Sequence, residues 1–319
     1  MKRVVVIGGG TGVYTVLSGL RDYPVHLTAV VSMADDGGST GSLREEFGIL
    51  PPGDIRRALV ALSDSNNKIL SDLFNFRFEE NSSLHGHSLG NLLITALEKI
   101  TGSFDQAIEE AVKILNINGD VIPVTLSRTK LFAILEDGTR VEGETNIDIP
   151  KHNPDLHISE LRLDPPVLAN PKAIQAIQNA DVVILGPGDV YTSILPNILS
   201  GGIKDAIKST RAKVLYIVNI MTKYGETNNF KASDFLLTIE KYLEEGSIDM
   251  CLINTEKPHI DTKKEGNKEE HVEFVENDFK SEKVENTKIV TGDFLRKGMF
   301  LRHDPKKLAK TLNAIIAEL

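Results

Sequence analysis

The sequence predicts an α/β fold: a Rossmann-like parallel sheet with helices on both faces, an inserted helical cluster and a small antiparallel β-region. Three observations predict it. Short β-branched runs at Val4–Ile7 and Val25–Val31 flank a helix-like stretch at Val13–Leu20. Strand, glycine turn, helix, strand is a βαβ unit, whose sheet is parallel and covered on its faces. The arrangement returns late in the chain, where Val182–Leu185 and Val214–Val218 read as strands. Between the two halves the apolar period changes, first to helical and then to alternating.

The elements follow in order. Val4–Ile7 ends in glycine, Val13–Leu20 carries a helical apolar stripe, and Val25–Val31 is the second strand. Leu62–Phe76, Leu89–Ile100 and Phe104–Leu115 have helical spacing and make the inserted cluster. Val121–Leu126, Leu131–Leu135 and Arg140–Glu142 alternate, and Glu136-Asp137-Gly138-Thr139 is a hairpin turn. An antiparallel region over about 119–163 is expected, ended by Pro165-Pro166. After Val182–Leu185 comes Gly186-Pro187-Gly188-Asp189 and a helix-like stretch. Val214–Val218 leads into a loop over Asn219–Glu226, and Met250–Ile253 is one more strand. Thr255–Lys288, rich in Lys, Glu and Asn, is expected to be solvated or mobile. Leu308–Leu319 closes as an amphipathic helix. No repeat of fixed period occurs. One α/β domain over residues 1–319, carrying the β-rich insertion, accommodates all of this.

Composition narrows the function classes. A chain of 319 residues, 41% hydrophobic and 25% charged, has the makeup of a soluble globular protein with a full core. A formal charge of −9 argues against general nucleic-acid binding, though not against a local cationic pocket. The single cysteine, Cys251, excludes an intramolecular disulfide and a Cys-rich zinc site, and its apolar neighbours make it a buried strand residue. No apolar run approaches the roughly 18 residues of a membrane span. Lys2-Arg3 followed by Val4–Ile7 imitates a secretory signal, but the apolar run is short and breaks at Gly8-Gly9-Gly10. A cytoplasmic protein is expected.

In open parallel sheets ligands bind at the carboxyl ends of the strands, and every conspicuous polar cluster follows a strand or opens a helix. Gly9, Gly10, Thr11 and Gly12 follow the first strand. Glycine lets a backbone approach a ligand, and the next helix offers free N–H groups to an anion. The spacing G-x-G-x-x-G counted from Gly8 fails at Val13, and no Lys-Ser/Thr follows, so ordinary dinucleotide and ATPase sites are disfavoured. A tight strand–helix turn is the plain alternative. Asp35 and Asp36 follow the second strand, with Gly38 and Ser39 extending the loop. Such acids bond a ribose hydroxyl or hold Mg²⁺ with phosphate oxygens; Asp-Gly is also an ordinary turn. Asp54 reads as a helix N-cap, and Arg56 and Arg57 serve either a phosphate or the surface.

His85-Gly86-His87-Ser88-Leu89-Gly90-Asn91 opens a helix. Ser88 and Asn91 are candidate ligand contacts, with Ser88 also a natural cap. The two histidines lack a third metal ligand nearby and read as exposed loop residues. Gly188 and Asp189 form a second anion-type turn. Asn219, Met221 and Thr222 follow another strand and offer groups suited to a base or sugar. Arg302 supplies a fixed positive charge for a diphosphate, or a surface salt bridge. No Ser/His/Asp or Cys/His arrangement stands out, so no residue is assigned a catalytic role. A side chain added at Gly12 is expected to block the ligand and leave the fold intact.

Taken together, VVVIGGGTG, ADDGGSTG, PPGDIRR, HGHSLGN, LGPGDVYTS and LRHDP, in this order from Val4 to about Pro305, resemble the bacterial gluconeogenesis-factor (YvcK-type) proteins. These share the CofD-like fold with 2-phospho-L-lactate transferase. The resemblance implies a Rossmann-like fold with an inserted region. The transferase relatives bind a guanine nucleotide and a deazaflavin and use an acidic Mg²⁺ site. The gluconeogenesis-factor branch implies binding of UDP-sugars such as UDP-N-acetylglucosamine, and a role in cell shape and cell-wall synthesis on gluconeogenic carbon sources. Arg302 matches an arginine of the family's C-terminal block. The aromatic contact of the preceding helix is not carried over, since no Tyr or Trp lies between Thr255 and Leu301. The expectation is a regulatory nucleotide-sugar-binding protein acting through a protein partner, its oligomeric state open. The alternative is a Mg²⁺-dependent transferase on a nucleotide-diphosphate-linked substrate, with Asp35 and Asp36 as metal ligands. With no Trp and 6% aromatics, little material is at hand for a deazaflavin pocket. The failed glycine spacing counts against an NAD-dependent oxidoreductase.

Overall fold

The computed structural model describes residues 1–63, 68–79, 82–257, 272–297 and 301–319. The first half opens with β1 (Lys2–Gly8), α1 (Gly10–Leu20), β2 (Val25–Val31), α2 (Gly38–Phe47) and α3 (Pro52–Leu62). The helical cluster follows as α4 (Lys68–Asn75), α5 (Leu89–Thr101) and α6 (Phe104–Leu115), and then β3 (Asp120–Pro123). The insertion contains β4 (Lys130–Leu135), β5 (Arg140–Glu142), α7 (Glu144–Asp148) and β6 (Ile158–Asp164). The second half runs α8 (Pro171–Gln178), β7 (Val182–Leu185), a π-helical turn (Val190–Ile194), α9 (Leu195–Ile198), α10 (Ile203–Ser209), β8 (Lys213–Ile217), α11 (Ala232–Leu243) and β9 (Met250–Asn254). It ends with β10 (Lys283–Val284), β11 (Thr287–Gly292) and α12 (Pro305–Glu318).

Among the described residues, eight strands form one sheet in the order β10-β11-β9-β8-β7-β1-β2-β3. All neighbours are parallel except the β10–β11 hairpin. Val4 of β1 sits between Leu27 of β2 and Val182 of β7, and Val4, Val6 and Ile7 are fully buried. A strand covered on both faces needs apolar residues at every position, which explains the unbroken VVVI run. Because the chain leaves β1 in one direction and β7 in the other, right-handed crossovers place α1 and α10 on opposite faces. On one face α1 packs between α3 and α12; on the other α10 packs against α8 and α11. Strand order therefore reverses between β1 and β7, the switch point at which such sheets bind ligands. A three-stranded antiparallel sheet, β5-β4-β6, stands apart.

Two expectations require correction. The strand near Val121 does not belong to the antiparallel region: β3 pairs in parallel with β2, Ala29 opposite Val121. The α5–α6 pair carries the chain back to the edge of the main sheet, and a four-residue run looks the same in either setting. The stretch Thr255–Lys288 is not uniformly solvated. Its residues 258–271 lie outside the described set, but Val275 is buried and donates its N–H to the Ile220 carbonyl. Past it, β11 extends the sheet beside β9, with Ile289 opposite Cys251. The expected helix over Leu62–Phe76 includes residues 64–67, outside the described set; α3 ends at Leu62 and α4 begins at Lys68. Among the described residues no helix is long and apolar enough to cross a membrane.

Candidate functional site

The β1 and β7 loops meet at the switch point. A Cβ on Gly12 would run into the Pro187 carbonyl, so the two loops touch through bare backbone. That overturns the expectation that a side chain at Gly12 would spare the fold: here it would push two loops apart. A cleft of about 500 Å³ opens above the junction, a volume suited to a small-molecule ligand.

The N-terminal turns of α1, α2 and α3 all reach this cleft, through Gly10, Thr11 and Gly12, through Gly38 and Ser39, and through Gly53 and Asp54. The N-caps of these helices, Gly9, Gly37 and Pro51, make no side-chain capping bond. First-turn N–H groups of a helix carry partial positive charge and need acceptors. Three such ends on one cleft make it receptive to anions.

Its charged lining is balanced. Asp35, Asp54, Glu144, Asp148 and Asp189 face it, as do Arg56, Arg57, Arg77, Lys223 and Arg302. Arg57 Nη1 bonds Asp54 Oδ1 at 3.1 Å, beside Gly10. Arg56 is buried and held by Asn91 Oδ1 (3.0 Å) and Asn75 Oδ1 (2.7 Å). Burial, with Arg57 and Arg77 close by, lowers its pKa to about 10. Asn91 also donates to Ser39 Oγ (3.3 Å), which meets His87 Nδ1 (3.1 Å). Arg44 fastens the β2 loop by donating to the Ala34, Asp35 and Thr129 carbonyls.

Asp35 and Glu144 resist ionisation. Burial and the neighbouring Asp54 raise Asp35 to about 6, although Gly37 N donates to its Oδ1 at 3.0 Å. Burial and the Asp35 charge raise Glu144 to about 9. Two carboxylates sharing a site favour a shared proton or a cation, so Asp35 and Asp54 could hold a hard cation against phosphate oxygens.

Of the residues singled out in the sequence, Gly9, Gly10, Thr11, Gly12, Asp35, Gly38, Ser39, Asn91, Gly188, Asp189 and Arg302 line this one cleft. The others are engaged elsewhere. Asp36 turns away: its carboxylate accepts from Glu144 N (3.2 Å), Thr145 N (2.9 Å) and Thr145 Oγ1 (2.8 Å), fixing the start of α7. The carboxylate that joins Asp35 is Asp54, which is not the cap of α3 but lies in its first turn. Ser88 is buried and caps α5 through Asn91 N (3.1 Å). Thr222 Oγ1 accepts from Glu273 N (2.8 Å), and Met221 bridges Phe274, so this strand end is covered by the chain itself. Asn219 Oδ1 reaches Gly188 N at 3.5 Å and supports the β7 loop. In the last block, His303 is buried, and burial lowers its pKa to about 4; Asp304 caps α12 through Lys306 N and Lys307 N. Together they leave Arg302 exposed at the rim.

Glu144, Asp148, Thr192, Ser193, Lys223 and Arg77 also line the cleft. Glu144 and Asp148 reach it on α7 of the insertion, after β5 and away from the strand ends of the main sheet. Lys223 carried a usable signal, as a lone cation in the polar loop after a parallel strand.

Residues 4–295 match the family model for 2-phospho-L-lactate transferase CofD. A Thermotoga maritima chain is 44% identical, covering 98% of this chain and 99% of its own. Gluconeogenesis factors of Halalkalibacterium halodurans and Bacillus subtilis are 42% and 39% identical, covering 98% and 99% of this chain and 95% and 98% of their own. A crystal structure of a UPF0052 family member from Bacillus halodurans superposes with a TM-score of 0.90 at 41% identity, covering 98% of this chain and 99% of that one. The chain therefore belongs to the CofD family and, within it, groups with the gluconeogenesis factors. That is the resemblance its sequence blocks carry, and the α/β fold agrees with it.

Proposed function

We propose that the cleft binds a nucleotide-diphosphate sugar of the UDP-N-acetylglucosamine class, and that the protein is a regulatory gluconeogenesis factor serving cell shape and cell-wall synthesis on gluconeogenic carbon sources. The observation that carries this reading is the convergence of three helix N-termini at the β1–β7 switch point, with Arg57 beside Gly10 and Arg302 at the rim. Neutral N–H groups and separate guanidiniums suit a diphosphate, whose charge is spread over several oxygens. The relatives' name, gluconeogenesis factor, supports the gluconeogenic part of that role; cell shape and cell-wall synthesis rest on the resemblance of the sequence blocks. Its location would be the cytoplasm, and it would act through a protein partner.

One observation favours a second reading. The Asp35–Asp54 pair lies where a cation could bridge carboxylate and phosphate, as a Mg²⁺-dependent transferase requires. Titration calorimetry with UDP-N-acetylglucosamine, UDP-glucose, GDP and NAD, each with and without Mg²⁺, tests both. Tightest binding of a UDP-sugar is the expected result. Tighter binding of NAD sinks the proposal, and GDP binding that depends strictly on Mg²⁺ moves it to the transferase.

A further inference from the structure

We propose that Asp148, Asp189 and Glu226 form a binding site for a hard divalent cation (Mg²⁺, Mn²⁺ or Ca²⁺) in the Lys223 wall of the cleft. One carboxylate oxygen from each lies within 4.8 Å of the other two. They come from three separate segments: the end of α7, the β7 loop and the loop after β8. No local run of acids brings them together; the tertiary fold does.

Glu226 is the residue that points to a ligand. It is 2% exposed, and neither carboxylate oxygen has a hydrogen-bond partner among the described residues. Buried acceptors are almost always satisfied, and a buried carboxylate without a partner is costly. Lys223 meets part of the demand, with Nζ 2.8 Å from Asp148 Oδ1 and 3.9 Å from Asp189 Oδ2. One ammonium cannot satisfy the oxygens of three carboxyl groups, and both Glu226 oxygens are left over. Carboxylate oxygens select hard cations over soft ones.

The loop holding Glu226 is built rather than slack. Glu226 N and Thr227 N both donate to the Lys223 carbonyl, at 3.1 and 2.8 Å, and Lys223 N donates to Thr227 Oγ1 at 2.8 Å. Gly225, at φ +83°, packs against Pro150, just past Asp148, where a side chain would not fit. Asn228 Nδ2 donates to the Pro154 carbonyl at 2.6 Å, joining the loop to the segment after α7. The ligand set is thus held in place before any ion arrives. It is separate from the Asp35–Asp54 pair, and it needs no nucleotide.

The test uses the full chain and metal alone. Mn²⁺ is titrated without nucleotide and followed by the electron paramagnetic resonance of the free ion, with Mg²⁺ and Ca²⁺ as competitors. The wild-type chain, Glu226→Gln, Asp189→Asn and Asp54→Asn are compared. The expected result is Mn²⁺ binding that weakens roughly tenfold or more in Glu226→Gln and Asp189→Asn, since fewer charged ligands lower cation affinity, and that persists in Asp54→Asn. Without metal, Glu226→Gln should melt no lower than wild type, because burial already favours the neutral form of this carboxyl group and it has no partner to lose among the described residues; with metal it should lose the stabilisation that wild type gains. Should Glu226→Gln fail to fold, Asp189→Asn decides the comparison. Unchanged Mn²⁺ binding in the folded variants, loss confined to Asp54→Asn, or no uptake by the wild-type chain overturns the proposal. Each of these outcomes is independent of whether a UDP-sugar binds.

Discussion

At the scale of single residues, Arg302 offers the sharpest test of the nucleotide-sugar reading. It stands at the rim close enough to influence Asp189 electrostatically, though the two lie far apart in sequence. A charge-assisted hydrogen bond to phosphate contributes about 1.5–3 kcal/mol. Arg302→Ala should therefore weaken UDP-N-acetylglucosamine binding roughly tenfold to a hundredfold by calorimetry. Lysine should restore only part, because it keeps the charge and loses the planar fork. The thermal midpoint without ligand should barely move, as expected for an exposed side chain. Unchanged affinity in the alanine variant would remove Arg302 from the site.

Elements position these side chains, and two junctions show how. The β1 and β7 loops touch at Gly12, with no room for even a methyl group beside Pro187. Gly12→Ala should lower the thermal midpoint and the ligand affinity together; a variant with wild-type melting would show that the loops can part cheaply. The second junction is Asp36, whose three accepted hydrogen bonds pin α7 to the β2 loop. Leaving those donors unpaired costs about 1–3 kcal/mol. Asp36→Ala should lower the urea midpoint accordingly. It should also weaken ligand binding indirectly, because Glu144 and Asp148 ride on α7. An effect on affinity with no change in the urea midpoint would assign Asp36 to the ligand instead.

For the whole molecule, the gathered carboxylates set a pH dependence. Glu144 is held at about 9 by burial and the nearby Asp35, against an ordinary value of 4.5. Between those two pH values the folded chain binds the proton more tightly than the unfolded chain, so stability falls as pH rises. Asp35, raised to about 6, adds to the same slope in the acid part of the range. The charges that raise Glu144 are Asp35, Asp148, Asp36 and Asp54, and Glu226 also lies in its field, all acids. Buried His303, lowered from 6.5 to about 4, opposes the slope below that ordinary value, where the folded chain resists its protonation. The ligand-free thermal midpoint should drop between pH 6.5 and 9, above the range in which His303 opposes it, and Glu144→Gln should flatten that drop. A midpoint that rises over this range would show the acids to be compensated by cations. Saturating ligand should raise the midpoint at every pH, by about 2.7 kcal/mol of stability at a hundredfold excess over Kd.

By itself, the sequence determined the two βαβ halves, the glycine turns at the ends of β1 and β7, and the family. These are legible because their causes are local: a short unbroken β-branched run ending in glycine reads as a doubly covered strand, and glycines mark where backbone must approach closely. It also determined that polar clusters after separate strands would share one end of the sheet, since parallel strands all point the same way. What only the tertiary structure decided lies in the choice of neighbour. The four residues of β3 could pair in either sheet until the α5–α6 crossover returned them to β2. Asp35 and Asp36 are adjacent, yet one meets Asp54 in the cleft and the other meets Thr145, 109 residues away. Glu226, Asp148 and Asp189 became one cluster only when the end of α7 and two strand-end loops came together. A side chain's partner is set by what the fold brings beside it, and that contact is not encoded in any short stretch of the chain.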